Sequence, residues 1–164
     1  MPCAGTGQDG ELQKGLGPAY VDNGDGTITD RNTGLMWEKL SADWSIHHNS
    51  TEYTWENAFT KIAALNSGGG FAGHTDWRLP NVNELKSLVA FGAAYPAVSP
   101  EFNSGCAPDC TVLTCSCTGS SWHWSSSTYP SSPERAGAVV FSDGFVTHGP
   151  KTYLNFVRAV RGGS

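Results

Sequence analysis

The sequence predicts a single α+β domain in which two helices pack on antiparallel β-sheets. Three observations point there. Gly and Pro together make up 29 of the 164 residues, well above the roughly 12% of average usage, which favours many turns and short strands. Apolar residues recur with a helical period in two stretches, after Thr54 and after Pro80. Strand, turn, strand signals stand near both ends of the chain. The length suits one domain on the usual prior of roughly 150 residues, and six Trp supply bulk for a core. A helical bundle is not expected.

Residues 1–19 read as an irregular, Gly-rich N-terminal arm, and the domain occupies 20–164. It opens with a hairpin: Tyr20-Val21, the turn Asp22-Asn23-Gly24-Asp25-Gly26, then Thr27-Ile28-Thr29-Asp30. Asn-Gly and Asp-Gly supply the positive φ that a tight hairpin needs. The acidic turn does not fit an EF-hand, because the twelfth position from Asp22 is Thr33, where that loop needs a bidentate Glu. Leu35-Met36-Trp37 follows as a buried strand, with Trp37 a structural residue. From Thr54, a plausible N-cap, Trp55, Ala58, Phe59, Ile62 and Ala63 form the buried stripe of a first helix that ends before Gly68. Asp76-Trp77-Arg78-Leu79-Pro80 is a compact bend, in which Trp77 and Arg78 are structural. Asn81 with Glu84 three residues on then starts a second helix, whose stripe is Val82, Leu85, Leu88 and Val89. The second half is β in character. Ser121–Thr128 is a strand, Ala138–Phe141 and Phe145–Thr147 form a hairpin, and Tyr153–Arg161 is the closing strand.

Charge and cysteines narrow the function. The net charge is −5 and no run of Lys or Arg exists, so a phosphate-tracking surface for nucleic acid is not expected. No segment approaches a membrane span, and the first twenty residues lack the basic start and apolar stretch of a signal peptide. Cys3 stands alone, whereas Cys106, Cys110, Cys115 and Cys117 crowd a loop insertion spanning 103–120. Two disulfides would brace that insertion and suit an oxidising compartment. A four-thiolate zinc site and free thiols are the alternatives, although C-x3-C-x4-C-x-C lacks the paired C-x2-C spacing of zinc ribbons.

No nucleophile elbow, P-loop, dinucleotide fingerprint or zincin motif occurs. The His47-His48 pair reads as part of a solvated loop. The positive signal is a late concentration of aromatic and hydrogen-bonding side chains: Trp122, His123, Tyr129, Arg135, His148, Lys151, Tyr153 and Asn155. Such residues make binding surfaces, since Tyr and Trp give stiff contact area and His and Asn adapt their hydrogen bonds. Trp124 is assigned to the core, and His123 points to the other side of its strand. No metal ligands or catalytic residues are assigned, and no cofactor is expected; structural calcium has no dense carboxylate loop to support it.

Val21-Asp22-Asn23-Gly24-Asp25-Gly26-Thr27, Thr33-Gly34-Leu35-Met36-Trp37, Thr54-Trp55-Glu56, Asp76-Trp77-Arg78-Leu79-Pro80-Asn81, Trp124-Ser125-Ser126, Phe141-Ser142-Asp143-Gly144 and Val157-Arg158-Ala159-Val160-Arg161-Gly162-Gly163 form a further pattern. Their order over residues 20–163 resembles the Lcl C-terminal domain-like family, named for the C-terminal domain of a collagen-like bacterial adhesin. The resemblance implies a C-type-lectin-like fold with adjacent terminal strands and a loop-rich binding face. It also implies a non-enzymatic display domain that binds a cell-surface glycan or protein. A homotrimer and sulfated glycans are associated with the eponymous domain, and Arg135, Lys151, Arg158 and Arg161 are the candidates for a basic patch. The implied location is extracellular, at a cell surface or on a phage virion. Many relatives carry a Cys about where Ile62 stands, so no disulfide pattern is carried over. Two alternatives accompany this reading. The first is a variable protein of a diversity-generating retroelement, with 121–161 as the diversified segment. The second is an oxidase related to formylglycine-generating enzymes, whose copper-binding cysteine pair has no match here.

Overall fold

Two antiparallel hairpins, one from each half of the chain, seed two sheets in the computed structural model, which describes residues 4, 5, 7 and 16–163. Most of the expected N-terminal arm, with Cys3, lies outside the described residues. The first sheet holds β1 (Tyr20–Asp22), β2 (Thr27–Asp30), β3 (Leu35–Glu38) and β7 (Val160–Gly162), in the order β1-β2-β3-β7. The second holds β4 (Trp122–Thr128), β5 (Arg135–Val140) and β6 (Phe145–Pro150), in the order β4-β5-β6.

The opening turn shows why its acids are there. Gly24 and Gly26 take φ of 77° and 94°, values that favour glycine. Asp22 Oδ1 accepts from the Gly24 N–H at 2.9 Å, and Asp25 Oδ1 accepts from the Thr27 N–H at 3.0 Å. Asp22 also pairs with Lys39 at 2.7 Å. These carboxylates build the turn, as the hairpin reading requires.

Helix α1 (Trp55–Leu65) is capped by the Thr54 hydroxyl, which accepts from the Asn57 N–H at 3.3 Å. Its inner face differs from the expected stripe. Ala58, Lys61, Ile62 and Leu65 are buried, whereas Phe59 and Ala63 are exposed. The helix is turned because Lys61 reaches inward to a buried carboxylate, described below. Helix α2 (Val82–Lys86) is one short turn fixed by a complete capping box of Asn81 and Glu84. Glu84 also receives two hydrogen bonds from Arg78, at 2.8 and 2.7 Å, which lock the preceding bend. Trp77 and Leu79 of that bend are buried, and Arg78 exchanges two backbone bonds with Val160 of β7.

The core falls into two clusters. Ile28, Trp37, Leu85, Phe102 and Phe141 belong to one, on the α2 side; Ala58, Ile62, Trp77, Trp124 and Ala138 belong to the other, under α1. Trp37 and Trp124 are fully buried. The closing strand is shorter than expected, because Tyr153 still belongs to the preceding turn and the segment after it borrows partners in succession: Asn155 bonds to Tyr53, Phe156 to Trp122, and Ala159 to Glu38. A strand needs one neighbour, and this segment has three.

The four cysteines of the insertion are paired two by two, Cys106 with Cys117 and Cys110 with Cys115. Of the alternatives open in the sequence, nested disulfides are the arrangement realised. The insertion is tied to the domain through its inner end, where Cys115, Ser116, Cys117 and Thr118 are buried.

Candidate binding face

The second sheet carries four of the eight late aromatic and polar residues, Trp122, His123, Arg135 and His148, and its geometry sorts them with their neighbours. Tyr129 follows β4, and its ring stacks on His148 of β6 with centroids 3.8 Å apart and planes 17° apart. Arg135 of β5 donates from Nε to His148 Nδ1 at 2.9 Å and from Nη2 to the His148 carbonyl at 3.1 Å. Since arginine Nε always carries its proton, His148 Nδ1 is the acceptor and the ring proton of the neutral imidazole sits on Nε2. Three expected contacts, Tyr129, Arg135 and His148, thus form one rigid unit.

Beside that unit lies a cleft of about 340 Å³, lined by Val82, Ser127, Thr128, Tyr129, Pro130, Gly137, Val146, Thr147 and His148. Its floor exists because β5 has a glycine there. A Cβ on Gly137 would stand 3.1 Å from Ser125 Oγ and 3.4 Å from Val82 Cγ2, inside the space between strand and helix. A second hollow, of about 400 Å³, is lined by Thr54, Trp55, Glu56, Lys151 and Thr152. Lys151 Nζ sits 3.9 Å above the Trp55 ring, a cation–π distance, and donates to Thr128 Oγ1 at 3.0 Å. Thr128 lines the cleft and Lys151 lines the hollow, so this hydrogen bond joins the two. Tyr153 is exposed and Trp122 half-buried.

Two expected contacts are placed elsewhere. His123 is fully buried between the edges of Phe141 and Phe156, because β4 is covered on both sides. Burial, with Arg158 nearby, pushes its imidazole down to about 3. Asn155 is buried too, its backbone bonded both ways to Tyr53. The expected basic patch also shrinks, since Arg158 is 1% exposed and Arg161 is held by Asp76 at 2.7 Å. Arg135 and Lys151 remain.

Arg158 instead belongs to a buried charged centre. Glu38, fully buried at the end of β3, has Lys61 Nζ 3.0 Å away and accepts from the Ala159 N–H at 2.8 Å. His47 Nδ1 lies 2.8 Å from the same carboxylate. Burial alone would raise the Glu38 carboxyl, but Lys61 and His47 outweigh it and hold it at about 2. Arg158 donates to the carbonyls of Glu38 and Cys117 at 2.8 and 2.7 Å and to Thr118 Oγ1 at 2.7 Å. It thereby pins the disulfide insertion to the sheet. The solvated-loop reading of His47-His48 is corrected, because His48 is buried under the Trp44 ring, with centroids 4.0 Å apart.

Sequence reading missed Glu38, Lys61, Gly137 and the outward role of Trp55. Charges inside apolar runs, as in Leu35-Met36-Trp37-Glu38 and Val157-Arg158-Ala159-Val160, are the signal that marks the first. Sulfurs of Cys110, Cys115 and Cys117 gather within 4.8 Å, but disulfide sulfurs are not thiolates and make poor zinc ligands.

The model of the Lcl C-terminal domain matches residues 26–161. The chain belongs to that family. The match spans β2 to β6 and most of β7, with both helices and the disulfide insertion, and leaves out only β1 of the first sheet, so the candidate face is part of the family domain. No curated protein matches the chain. An Lcl C-terminal domain is adhesin-like, and with its two disulfides this one is compatible with an extracellular setting. Among the described residues no helix is long and apolar enough to cross a membrane.

Proposed function

We propose that this Lcl C-terminal domain is a non-enzymatic display module that binds a cell-surface glycan or protein through the face made by β4–β6 and the start of α1. The observation that carries the reading is the pair of hollows joined by the Lys151–Thr128 bond, with the Tyr129–His148–Arg135 unit at their rim. Concave surface, stiff aromatic rings and a few placed polar groups are what a recognition site needs. The finer fold reading, a C-type-lectin-like domain, is supported by β7 lying beside β3, next to the opening hairpin. Binding to a panel of glycans and host-surface extracts tests the function. Lys151→Ala and Tyr153→Ala should each weaken a positive signal, and a panel whose binding ignores both variants speaks against this face.

Diversification of the same face is a second reading. Its supporting observation is that the cleft is lined by residues 127–130 and 146–148, inside the C-terminal segment. Sequencing the locus in sibling isolates tests it. Diversified codons should fall on Tyr129, Arg135, His148 and Lys151 and spare His123, Trp124, Ala136, Ala138 and Arg158, which are buried.

A further inference from the structure

The cleft and the charges at its mouth bear on what kind of partner the face takes. Its walls are apolar: Val82, Pro130, Val146 and the Tyr129 ring. Several of its polar atoms are already engaged. Ser127 Oγ accepts from the Val82 N–H at 3.1 Å, Thr128 Oγ1 accepts from Lys151, and His148 Nδ1 accepts from Arg135. Between mostly apolar walls, a sugar ring would bring more hydroxyls than the remaining polar groups, Thr147 and His148 Nε2, could satisfy, at a desolvation penalty, whereas a hydrophobic side chain asks for nothing more than the walls.

Two further observations favour a polypeptide. β6 is the edge of its sheet, with a neighbour on one side only, and it exposes Phe145 (63%) and Val146 (38%) along that edge. An unpaired edge offers backbone hydrogen bonds to an extended segment, whose alternate side chains then reach one face. Among the described residues, Lys39, Lys61, Arg78 and Arg161 are each salt-bridged to a carboxylate, while Arg31, Lys86, Arg158, Arg135 and Lys151 are not, and the last two have the exposed Glu134 within electrostatic reach. In a chain of net charge −5, two cations outside any salt bridge are bonded to His148 and Thr128, which line one apolar cleft.

We infer that the partner is a protein, and that it lays an extended segment along β6, with an aromatic or large aliphatic side chain in the cleft and a nearby Asp or Glu on Arg135 and Lys151. This rests on the β4–β6 face being the binding face. Hydrophobic burial supplies the affinity, and the carboxylate sets register and direction.

The test is to pan a library of random linear peptides against the whole chain, and to screen a glycan array in parallel. Enriched peptides should share a Trp, Phe or Leu close to an Asp or Glu. A synthetic copy should lose about tenfold or more in affinity to Val146→Glu and to Arg135→Glu, a hot-spot-sized effect. Its binding should also weaken as salt rises. Gly137→Val fills the floor of the cleft and should abolish binding; because it crowds Ser125, the surface variant Val146→Glu carries the decision if Gly137→Val misfolds. No enriched peptide, or peptides indifferent to Val146→Glu and Arg135→Glu, overturns the inference. Glycan binding that is lost in Lys151→Ala, without peptide binding, would overturn it while leaving the face intact. If neither peptide nor glycan binding responds to these variants, the face itself is refuted.

Discussion

Arg158 and Arg135 sit in the same half of the chain and use the same guanidinium differently. Arg158 is buried and committed, bonded to two carbonyls and a hydroxyl around Glu38, with its charge set against a buried carboxylate and a buried ammonium. Arg135 is half-buried, spends Nε and one Nη on His148 of the cleft wall, and forms no salt bridge. The difference teaches that charge in this domain is sorted by burial and partners rather than by residue type. Where the guanidinium is buried and bonded into the surrounding fold it stabilises that fold, and where it stays partly exposed it is available to a ligand.

The comparison can be broken most directly at its buried end. Arg158→Ala leaves the Cys117 and Glu38 carbonyls and Thr118 without their donor, and should lower stability by about 3–5 kcal/mol, the range for breaking a buried charged network. Urea unfolding measures it, and a loss under about 1 kcal/mol would mean that water takes over those acceptors. Next in size is the insertion that Arg158 pins. The double variant Cys106→Ser, Cys117→Ser opens the outer disulfide, which spans 11 residues, and should lower stability by about 3 kcal/mol on a loop-closure estimate. Chemical denaturation of the variant against the oxidised parent decides this.

His123 sharpens the contrast through pH. Its imidazole is neutral in the folded protein down to about 3, against an ordinary value of 6.5. The stabilisation from keeping it neutral is complete above pH 6.5 and is lost as pH falls toward 3, because the unfolded chain takes up a proton that the folded one refuses. The slope is at most about 1.4 kcal/mol per pH unit, or about 2 kcal/mol between pH 7 and pH 5. His123→Leu should flatten stability across that interval. Glu38 adds its own loss only at lower pH, between its ordinary 4.5 and its folded value of about 2. The smallest effect is expected from Arg135→Ala, which removes two hydrogen bonds of a half-buried side chain to His148 and should lower stability by about 1 kcal/mol. Differential scanning calorimetry checks it, and a loss as large as that of Arg158→Ala would erase the distinction between the two arginines.

What could be read in advance follows from how local each signal is. The Asp22–Gly26 turn, the Thr54 cap and the Asn81/Glu84 capping box are set by neighbours in sequence, and each stands where the residues placed it. The class of the fold followed from those. Facing is not local. His123 alternates with two Trp and was expected outside, yet β4 is covered on both sides, by Phe141 and Phe156 over His123 as well as by the α1 core over Trp124. The helical stripe misled for a related reason: Lys61 looks polar in a window of seven, but its partner Glu38 is 23 residues away. That Tyr129, Arg135, His148 and Lys151 stay partly exposed is legible because turn-flanking aromatics and cations are seldom buried. Gly137, which makes the cleft, has no side chain to announce it.

The register of the first sheet has a mechanical consequence. Tyr20 pairs with Asp30 and Leu35 pairs with Gly162, while β2 and β3 are joined at that same edge. The first residue of β1 and the last of β7 therefore leave the domain on one side, three strand spacings or about 15 Å apart. A pull applied between them runs across the strands, along their hydrogen bonds, so that the rungs at that end give way one after another instead of sharing the load. How much force the domain withstands thus depends on whether it is held by both ends of the chain or by one end and its ligand.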